Sequence, residues 1–363
     1  MEKMRKVFPF LRPKIREEEE RLSFFNKNGS LLLEDLIASF GGRYKLPFRS
    51  FTAEEIIKAT NNFSDRVRQT KLADMFAGYS QAYRVLVLLY KGLEDQDDSW
   101  RDRNAHNRII RDIVMTSQLS HLKNILQLIG CSLEFEYPVI VYAYSPGTEF
   151  LADRLNHAIH DQDGKQVVIS WRSRIKIASD ISNVLLYLHT AFPTPIIYGN
   201  LTINKVAIDK FGVAKLFDFG LCISLPPGKL EAENQLRWAD IHSDPQSFKS
   251  NIVTQKTDVY SLGVLMLVLL TGQTDTVMYH KGIQRLVHIR KYVEVSIESN
   301  HFYQIVDPKI IEEARNDDSV LEQQLLAFLD LAFRCTQPGR SNRPDMIDVA
   351  KELRQMEKSL RLR

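Results

Sequence analysis

The segment from Leu185 to Leu221 reads LLYLHTAFPTPIIYGNLTINKVAIDKFGVAKLFDFGL and carries the strongest sequence signals for the fold of this chain. It begins inside a series of apolar residues, Ile175 to Leu188, that recur at helical spacing and predict an amphipathic helix. Similar patterns predict further helices at 258–271, 321–335 and 345–360. From Ser170 onward the chain is therefore predicted to be mostly helical.

The part of the chain before this stretch carries strand signals. Residues 84–90 (RVLVLLY) are rich in β-forming side chains, residues 107–119 have a helical pattern, and residues 138–144 (PVIVYAY) predict a second buried strand. A small strand-rich lobe is thus expected before a larger helical one.

A further helix signal lies in FTAEEIIKATNNF, residues 51–63. Thr52 stands three residues before Glu55, which is the spacing of a capping box, and Phe51 and Ile56 stand where a hydrophobic staple requires them. A helix is therefore predicted to begin here.

The N-terminal segment predicts a separate amphipathic helix. Ser30 is the expected cap, and Gly41 with Gly42 is the expected stop. Its apolar residues, Leu32, Leu33, Leu36, Ile37 and Phe40, are expected on one face that needs a partner surface. The preceding acidic run, residues 17–20, is interpreted as a solvated helical face.

Composition indicates an ordinary globular protein of 363 residues, with 44% hydrophobic and 26% charged residues. A net charge of +3 gives no sign of a nucleic-acid partner. The three cysteines are far apart and show neither disulfide nor zinc spacing, which favours a reduced intracellular compartment. No signal peptide or acylation site is expected at the N-terminus, and the longest apolar run, 262–270, is too short to span a membrane.

Read together and in order, these segments resemble the protein-kinase domain of plant receptor-like kinases and receptor-like cytoplasmic kinases over roughly residues 51–355. FTAEEIIKATNNF is similar to the helix before that domain, and LSHLKNILQLIGCSLE (119–134) is similar to the segment after its helix αC. LLYLH, PIIYGNLTINKVAID and KLFDFGL resemble the catalytic and metal-binding segments, and TDVYSLGVLMLVLLTG and NRPDM resemble helix αF and the closing helices.

The resemblance implies an α+β bilobal protein-kinase fold with an N-terminal helical extension. We expect the extension at 1–50 and the kinase-like domain at 51–363, divided into a first lobe (about 51–144) and a second lobe (about 145–363).

Phosphoryl transfer in that family needs a glycine-rich loop, a lysine paired with an αC glutamate, a catalytic aspartate and metal ligands. The glycine-rich loop is replaced by DRVRQTKLADMFAG (65–78), and the lysine position is Leu88. Lys91 is three residues further on and would point to the opposite face of a strand. The αC glutamate position is Asp112, interpreted as a solvated acid.

The catalytic loop is altered as well. Asn200 stands in place of the catalytic aspartate, and an amide cannot accept a proton, which alone predicts a loss of about 10²–10⁴ in rate. Thr202 and Lys205 stand in place of the loop lysine and the metal-binding asparagine. In the activation segment, Trp238 and Ala239 replace Gly-Thr, and Gln246 replaces the A-P-E glutamate, although its arginine partner, Arg343, is kept.

The residues that survive organise a kinase fold. The D-F-G sequence is kept from Asp218 to Gly220, Asp258 is the αF acid expected to hold the loop backbone, and His189 is an expected structural histidine. We interpret Asp218 as a structural residue or a relic of the ancestral site, and we predict neither a metal site nor a bound cofactor. Weak ATP binding stays open, with Tyr142, Tyr144 and Asp218 as its candidate residues.

Within the family, FFNKNGSLLLEDLI and LIGCSLEFEYPVIVYAY resemble small plant pseudokinases that serve as adaptors for coiled-coil nucleotide-binding leucine-rich-repeat (NLR) immune receptors. This resemblance implies a cytoplasmic adaptor that binds such a receptor and senses pathogen effectors or effector-modified receptor-like cytoplasmic kinases. Attachment to the plasma membrane through these partners is left open. The candidate partner-binding residues are Leu33 and Leu36 in the extension and Arg237 and Trp238 in the activation segment.

Two alternatives remain. An atypical, weakly active Ser/Thr kinase would need other groups to replace the missing lysine and aspartate. A pseudokinase that regulates an active kinase would need no immune receptor. A nucleotide-dependent thermal shift separates the first alternative from the adaptor, and affinity capture from plant tissue separates the second.

Overall fold

The computed structural model describes residues 12–41, 48–70, 73–81, 83–91, 99–156, 168–234, 244–280, 284–299, 302–313 and 318–361. The chain forms two compact units. The first comprises Met1–Leu122, Leu126–Pro146 and Asp218–Gly220, and the second comprises Lys123–Ile125, Gly147–Phe217 and Leu221–Arg363.

The first unit is built on a six-stranded sheet. Its strands in chain order are β1 (Arg49–Ser50), β2 (Arg66–Gln69), β3 (Ala73–Ser80), β4 (Tyr83–Tyr90), β5 (Leu128–Ser132) and β6 (Val139–Ala143). The order across the sheet is β1-β5-β6-β4-β3-β2, and only the β1–β5 pair is parallel. The strands predicted at 84–90 and 138–144 are β4 and β6.

Helix α2 (Ala53–Ala59) begins as its sequence predicts. The Thr52 side chain accepts a hydrogen bond from the backbone N–H of Glu55, and the Glu55 side chain accepts one from the backbone N–H of Thr52. Phe51 and Ile56 are both buried in a core cluster that also contains valines of β4 and β6. The capping box and the buried staple residues are therefore confirmed.

The extension forms one long helix, α1 (Arg12–Phe40), and the expected cap at Ser30 is wrong. Ser30 lies inside the helix, where its hydroxyl donates to the carbonyl oxygen of Asn26 one turn earlier. A serine in a helix interior can bond its own helix in this way, so the hydroxyl gives no start signal. Residues 17–20 lie in the same helix and are exposed, as the acidic run predicts.

The apolar face of α1 is also divided differently from the prediction. Leu32 and Leu36 are buried, whereas Leu33 and Ile37 are 49% and 56% exposed. Asn28 fixes the buried side by donating to the carbonyl oxygens of Leu133 and Phe135 at 3.0 and 2.9 Å. The five apolar residues therefore do not form one partner-seeking face.

Helix α3 (Ser99–Leu119) completes the first unit and begins earlier than the predicted 107–119. Arg111 of α3 forms an ion pair with Asp35 of α1 at 2.7 Å. Burial raises the pKa of Asp35, and the Arg111 cation opposes that rise. The extension is thus tied to α3 by both charge and packing.

The second unit is mainly helical. Its helices are α4 (Leu151–Leu155), α5 (Trp171–Thr190), α6 (Pro245–Ser250), α7 (Gln255–Thr271), α8 (Ile289–Glu298), α9 (Phe302–Ile305), α10 (Pro308–Glu313), α11 (Asp318–Cys335) and α12 (Met346–Arg361). Short strands accompany them, β7 (Glu149–Phe150), β8 (Ile196–Ile197), β9 (Val206–Ile208), β10 (Ala214–Leu216), β11 (Ile223–Ser224), β12 (Glu231–Glu233), β13 (Ile252–Thr254), β14 (Val277–His280) and β15 (Arg285–His288).

Helix α7 forms the centre of the second unit, because every residue from Thr257 to Thr271 is buried. Thr254 caps its start, and Gly272 ends it in the left-handed conformation that glycine adopts without steric cost. Within the described residues, no helix is both apolar enough and long enough to cross a bilayer.

Candidate functional site

The lysine position of the kinase motif is filled by a buried leucine. Leu88 lies in β4, is 2% exposed, and pairs across the sheet with Met75 of β3 and Ile140 of β6. Lys91, just beyond the end of β4, forms an ion pair with Asp74 at 2.9 Å. The positive charge nearest along the chain to Leu88 is therefore engaged with β3.

The turn that replaces the glycine-rich loop connects β2 to β3. Thr70 and Ala73 close it, since the backbone N–H and the hydroxyl of Thr70 both lie within hydrogen-bond distance of the Ala73 carbonyl oxygen, at 2.9 and 2.8 Å. The Ala73 N–H in turn donates to the Thr70 hydroxyl at 3.0 Å. This N–H group is thus directed into the turn by a side chain that no glycine could supply.

Asp112 of α3 is fully buried, so its interpretation as a solvated acid is wrong. One carboxylate oxygen accepts from the Thr116 hydroxyl at 3.0 Å and from the backbone N–H of Phe219 at 2.8 Å. The other accepts from the Tyr142 hydroxyl at 3.0 Å, with the Tyr90 hydroxyl at 3.5 Å. Neutral donors inside the first unit therefore satisfy the acid in place of a lysine.

The two tyrosine hydroxyls stay protonated in this environment. Burial, and next the negative charge of Asp112, raise the pKa of Tyr142 well above its usual value. The same two causes, in the same order, raise the pKa of Tyr90. Both hydroxyls are consequently hydrogen-bond donors to Asp112 at every physiological pH.

Asp218, the retained D-F-G acid, is paired with a cation from the chain itself. Arg108 of α3 donates from Nη2 to Asp218 Oδ2 at 2.9 Å, and both side chains are more than nine-tenths buried. Asp218 has a backbone φ of 62°, in the left-handed region. Sequence reasoning missed Arg108, although its position four residues before Asp112, on the same helix face, could have indicated it.

The other candidate cofactor residue, Tyr144, is also buried, and the Arg84 guanidinium lies 5.0 Å from its ring centre. Tyr142 and Tyr144 therefore lie together with Asp112 and Asp218 in the first unit. Among the described residues, no cluster of three His, Cys, Asp or Glu side chains is suited to hold a metal.

The degenerate catalytic loop belongs to the second unit. Asn200 is half-exposed and follows Gly199, and Thr202 precedes the 3₁₀ turn Ile203–Lys205. Lys205 is also half-exposed, and its backbone carbonyl accepts from the N–H of Phe217 at 3.2 Å. The three altered positions therefore share one loop.

The backbone of this loop is held by the αF acid. Asp258 is fully buried and accepts from the backbone N–H groups of Tyr198 and Gly199 at 2.9 and 2.8 Å. His189 Nε2 lies 2.8 Å from the same carboxylate. The structural roles expected for Asp258 and His189 are confirmed.

Of the partner-binding candidates, Leu33 is exposed, whereas Leu36 is fully buried and cannot be a direct contact. Arg237 and Trp238, as well as Ala239, lie outside the described residues. On α1, Leu33 and Ile37 continue a row of exposed apolar side chains that starts with Leu22 and Phe25. Their spacing places all four on one side of the helix.

A sheet-bearing unit with a buried αC acid and a D-F-G segment, followed by a helical unit with a buried αF acid, defines the protein-kinase class. The protein kinase domain model matches residues 81–362. Non-functional pseudokinase ZED1 of Arabidopsis thaliana is 36% identical over 344 residues, covering 92% of this chain and 96% of that protein.

Other Arabidopsis thaliana relatives differ in what their names say. Serine/threonine-protein kinase ZRK1 is 33% identical over 356 residues (95% of each chain), and non-functional pseudokinase ZRK2 is 31% identical over 352 residues (94% of this chain, 91% of that protein). The chain belongs to the protein kinase family and, within it, to the receptor-like cytoplasmic kinase branch that contains these relatives. The resemblance to receptor-like cytoplasmic kinases seen in the sequence is confirmed.

Proposed function

We propose that this protein is a catalytically inactive pseudokinase that acts as an adaptor in plant innate immunity. In this role it binds a coiled-coil NLR receptor and senses pathogen effectors or effector-modified host kinases. The observation that supports catalytic inactivity is the Arg108–Asp218 ion pair. The names of ZED1 and ZRK2 as non-functional pseudokinases support the same conclusion.

The residues present do not fit a magnesium–nucleotide complex, which kinases require. The Arg108 guanidinium occupies the Oδ2 atom of Asp218, and Leu88 offers no ammonium to a phosphate. In the connection where kinases keep a glycine-rich loop, the Ala73 N–H donates to the Thr70 hydroxyl. In the second unit, Asn200 cannot accept a proton and Lys205 is a cation in place of a metal ligand.

The adaptor role needs a binding surface, and α1 offers one. We name the exposed side chains Leu22, Phe25, Leu33 and Ile37 the α1 stripe. The helix itself is anchored by the adjoining residues Asn28, Leu32 and Leu36, which are buried, so the exposed side chains of the stripe remain accessible to a partner. Contiguous apolar surface on a soluble protein commonly marks a protein contact. We assign it to the NLR receptor.

Recognition of the effector or modified kinase remains assigned to the activation segment around Arg237 and Trp238. Trp and Arg side chains are enriched among binding hot spots, and truncating a hot-spot residue costs about 2 kcal/mol or more. The Arg237→Ala, Trp238→Ala double variant is expected to keep receptor binding and lose recognition. This would separate the two surfaces.

The experiment that tests receptor binding is co-purification of the chain with the NLR from leaf tissue. The Leu33→Glu, Ile37→Glu variant places two charges in the α1 stripe and is expected to lose the receptor. The matched control is Ser23→Glu, Ala38→Glu, which adds the same charges at exposed positions of the same helix outside the stripe. Equal recovery of receptor with both variants would remove the stripe from the interface.

The name of ZRK1 favours one alternative, a serine/threonine kinase. An active kinase should transfer labelled phosphate from ATP to the chain itself or to a protein substrate. An inactive adaptor should transfer none with either Mg²⁺ or Mn²⁺, so this assay distinguishes the kinase from the adaptor.

A further inference from the structure

Three consecutive residues, Asp218 to Gly220, each make a specific contact with helix α3. Arg108 binds the Asp218 carboxylate at 2.9 Å, and Asp112 accepts from the Phe219 backbone N–H at 2.8 Å. A Cβ atom at Gly220 would lie 2.6 Å from both the Cγ atom and the carbonyl oxygen of Arg108. No residue larger than glycine therefore fits at the third position unless α3 moves.

Arg108 and Asp112 stand one helical turn apart and present opposite charges to adjacent residues of the segment. This is a two-point attachment, because the cation binds a side chain and the anion binds the next backbone N–H. The left-handed backbone at Asp218 is a conformation that a non-glycine residue keeps only where its surroundings hold it. The two contacts on α3 supply that restraint.

We propose that Arg108 is an internal cation that takes the place of a divalent metal at Asp218, and that Arg108 and Asp112 together fix the D-F-G segment without nucleotide. We name this arrangement the α3 clamp. It deepens the proposed function, on which it rests for the statement that no metal is used. Asp218 is accordingly a positioning residue that holds the segment to α3.

The clamp leads to an expected result that differs from the results expected if Asp218 were a relic or a metal ligand. If Asp218 were a relic, removing its charge would leave the stability of the protein unchanged. If Asp218 were a metal ligand, removing its charge would lower the stability only when metal is present. In the clamp, loss of either charge breaks a buried ion pair, whereas loss of both removes the pair together with the cost of burying its charges. Stability should therefore depend on the two residues as a pair.

The test uses the full chain with Arg108→Met, Asp218→Asn and the double variant, each melted in metal-free buffer. Each single variant is expected to melt roughly 5 °C or more below the parent, because breaking a buried pair is strongly destabilising. The double variant is expected to melt above both singles. Arg111→Met is the matched control, since it removes a cation of the same helix that binds Asp35 and not the D-F-G segment.

Hydrogen exchange localises the effect. Amides of residues 217–221 should exchange at least about tenfold faster in each single variant, and remain at the parent rate in Arg111→Met. If the single variants do not accumulate as folded protein, the double variant decides, because a double variant that melts cooperatively supports the clamp. A double variant that is no better than the singles would overturn it.

Manganese alone is the second probe. The parent should show no Mn²⁺ binding at millimolar concentration that disappears in Asp218→Asn. Mn²⁺ binding with that dependence, or melting temperatures that are additive, would overturn the clamp. If the melting-temperature shifts of the single variants add up in the double variant and no phosphate is transferred, the clamp is wrong but the proposed function stands. If phosphate is transferred and Mn²⁺ binds at Asp218, both the clamp and the proposed function are wrong.

Discussion

Arg343 and Asp244 form a fully buried ion pair, in which Nη2 of Arg343 donates to Oδ1 of Asp244 at 2.7 Å. Arg340 binds the other carboxylate oxygen at 3.0 Å. In kinases the partner of this arginine is the A-P-E glutamate, whose position here is Gln246. The acid has thus moved two residues towards the N-terminus, and the arginine has kept a carboxylate partner.

Asp244→Asn is expected to destabilise the second unit by about 3–5 kcal/mol, because it leaves Arg343 buried without its counter-ion. Urea unfolding measures the loss. Asp345→Asn is the matched control, since Asp345 also pairs with a cation, Lys256, but is 70% exposed, where such pairs are worth about 0–1 kcal/mol.

The same pair sets a pH dependence. Burial opposes ionisation of Asp244, but the hydrogen bonds and charge of Arg343 outweigh it and lower the pKa of the carboxyl. Because the pKa of Asp244 is lower in the folded state, the ion pair stabilises the fold fully at any pH above the pKa of an aspartate in the unfolded chain, about 3.9. The stabilisation is lost as the pH falls through the lower pKa that Asp244 has in the folded state. The stability difference between the parent and Asp244→Asn should be constant from about pH 5 to 8 and shrink below about pH 4. A difference that grows on acidification would contradict this assignment.

Tyr142→Phe is expected to cost about 1–3 kcal/mol, because it removes a donor to the buried Asp112 carboxylate. Tyr79→Phe, at an exposed position of β3, should change stability by less than about 0.5 kcal/mol. Thermal unfolding of both variants provides the comparison, and equal melting temperatures would show that the hydroxyl does not support Asp112.

The sequence could predict the scaffold because its signals are local. The capping box at Thr52, the apolar period of α5 and the run that became α7 all depend on neighbours in the chain. The substitutions at Leu88, Asn200 and Lys205 could be read position by position for the same reason.

The partners that replace lost groups could not be predicted in this way. Arg108 meets Asp218 across 110 residues, and Arg343 meets Asp244 across 99. Asp112 was expected to be solvated because its lysine is missing, yet tyrosine hydroxyls and a backbone N–H surround it. The division of the α1 leucines into buried and exposed was likewise hidden, since helical period alone cannot show which side of a wide apolar face has a neighbour.

Leu36→Ala should destabilise the first unit by about 2–5 kcal/mol, as is usual when a buried leucine is truncated. Leu33→Ala should change stability by less than about 0.5 kcal/mol, because nearly half of its side chain is exposed. Urea unfolding distinguishes the two. A large loss at Leu33 would mean that the α1 stripe is part of the core and not a surface for partners.

Nucleotide is expected to stabilise the fold little. A ligand present at 100 times its dissociation constant would add about 2.7 kcal/mol and a clear melting shift. We expect no such shift with millimolar ATP and Mg²⁺. A shift that is lost in Asp218→Asn would show that the acid still serves a nucleotide.

The adaptor role can be tested by receptor-dependent cell death in a leaf that co-expresses the NLR, this chain and the trigger. If the chain is an adaptor, the variant Asn200→Ala, Lys205→Ala, which alters only half-exposed positions of the degenerate catalytic loop, is expected to keep full cell death. The variant Leu33→Glu, Ile37→Glu is expected to abolish cell death, while Ser23→Glu, Ala38→Glu is not. Cell death lost with the catalytic-loop variant but kept with the stripe variant, at equal protein levels, would contradict the adaptor and indicate an enzyme.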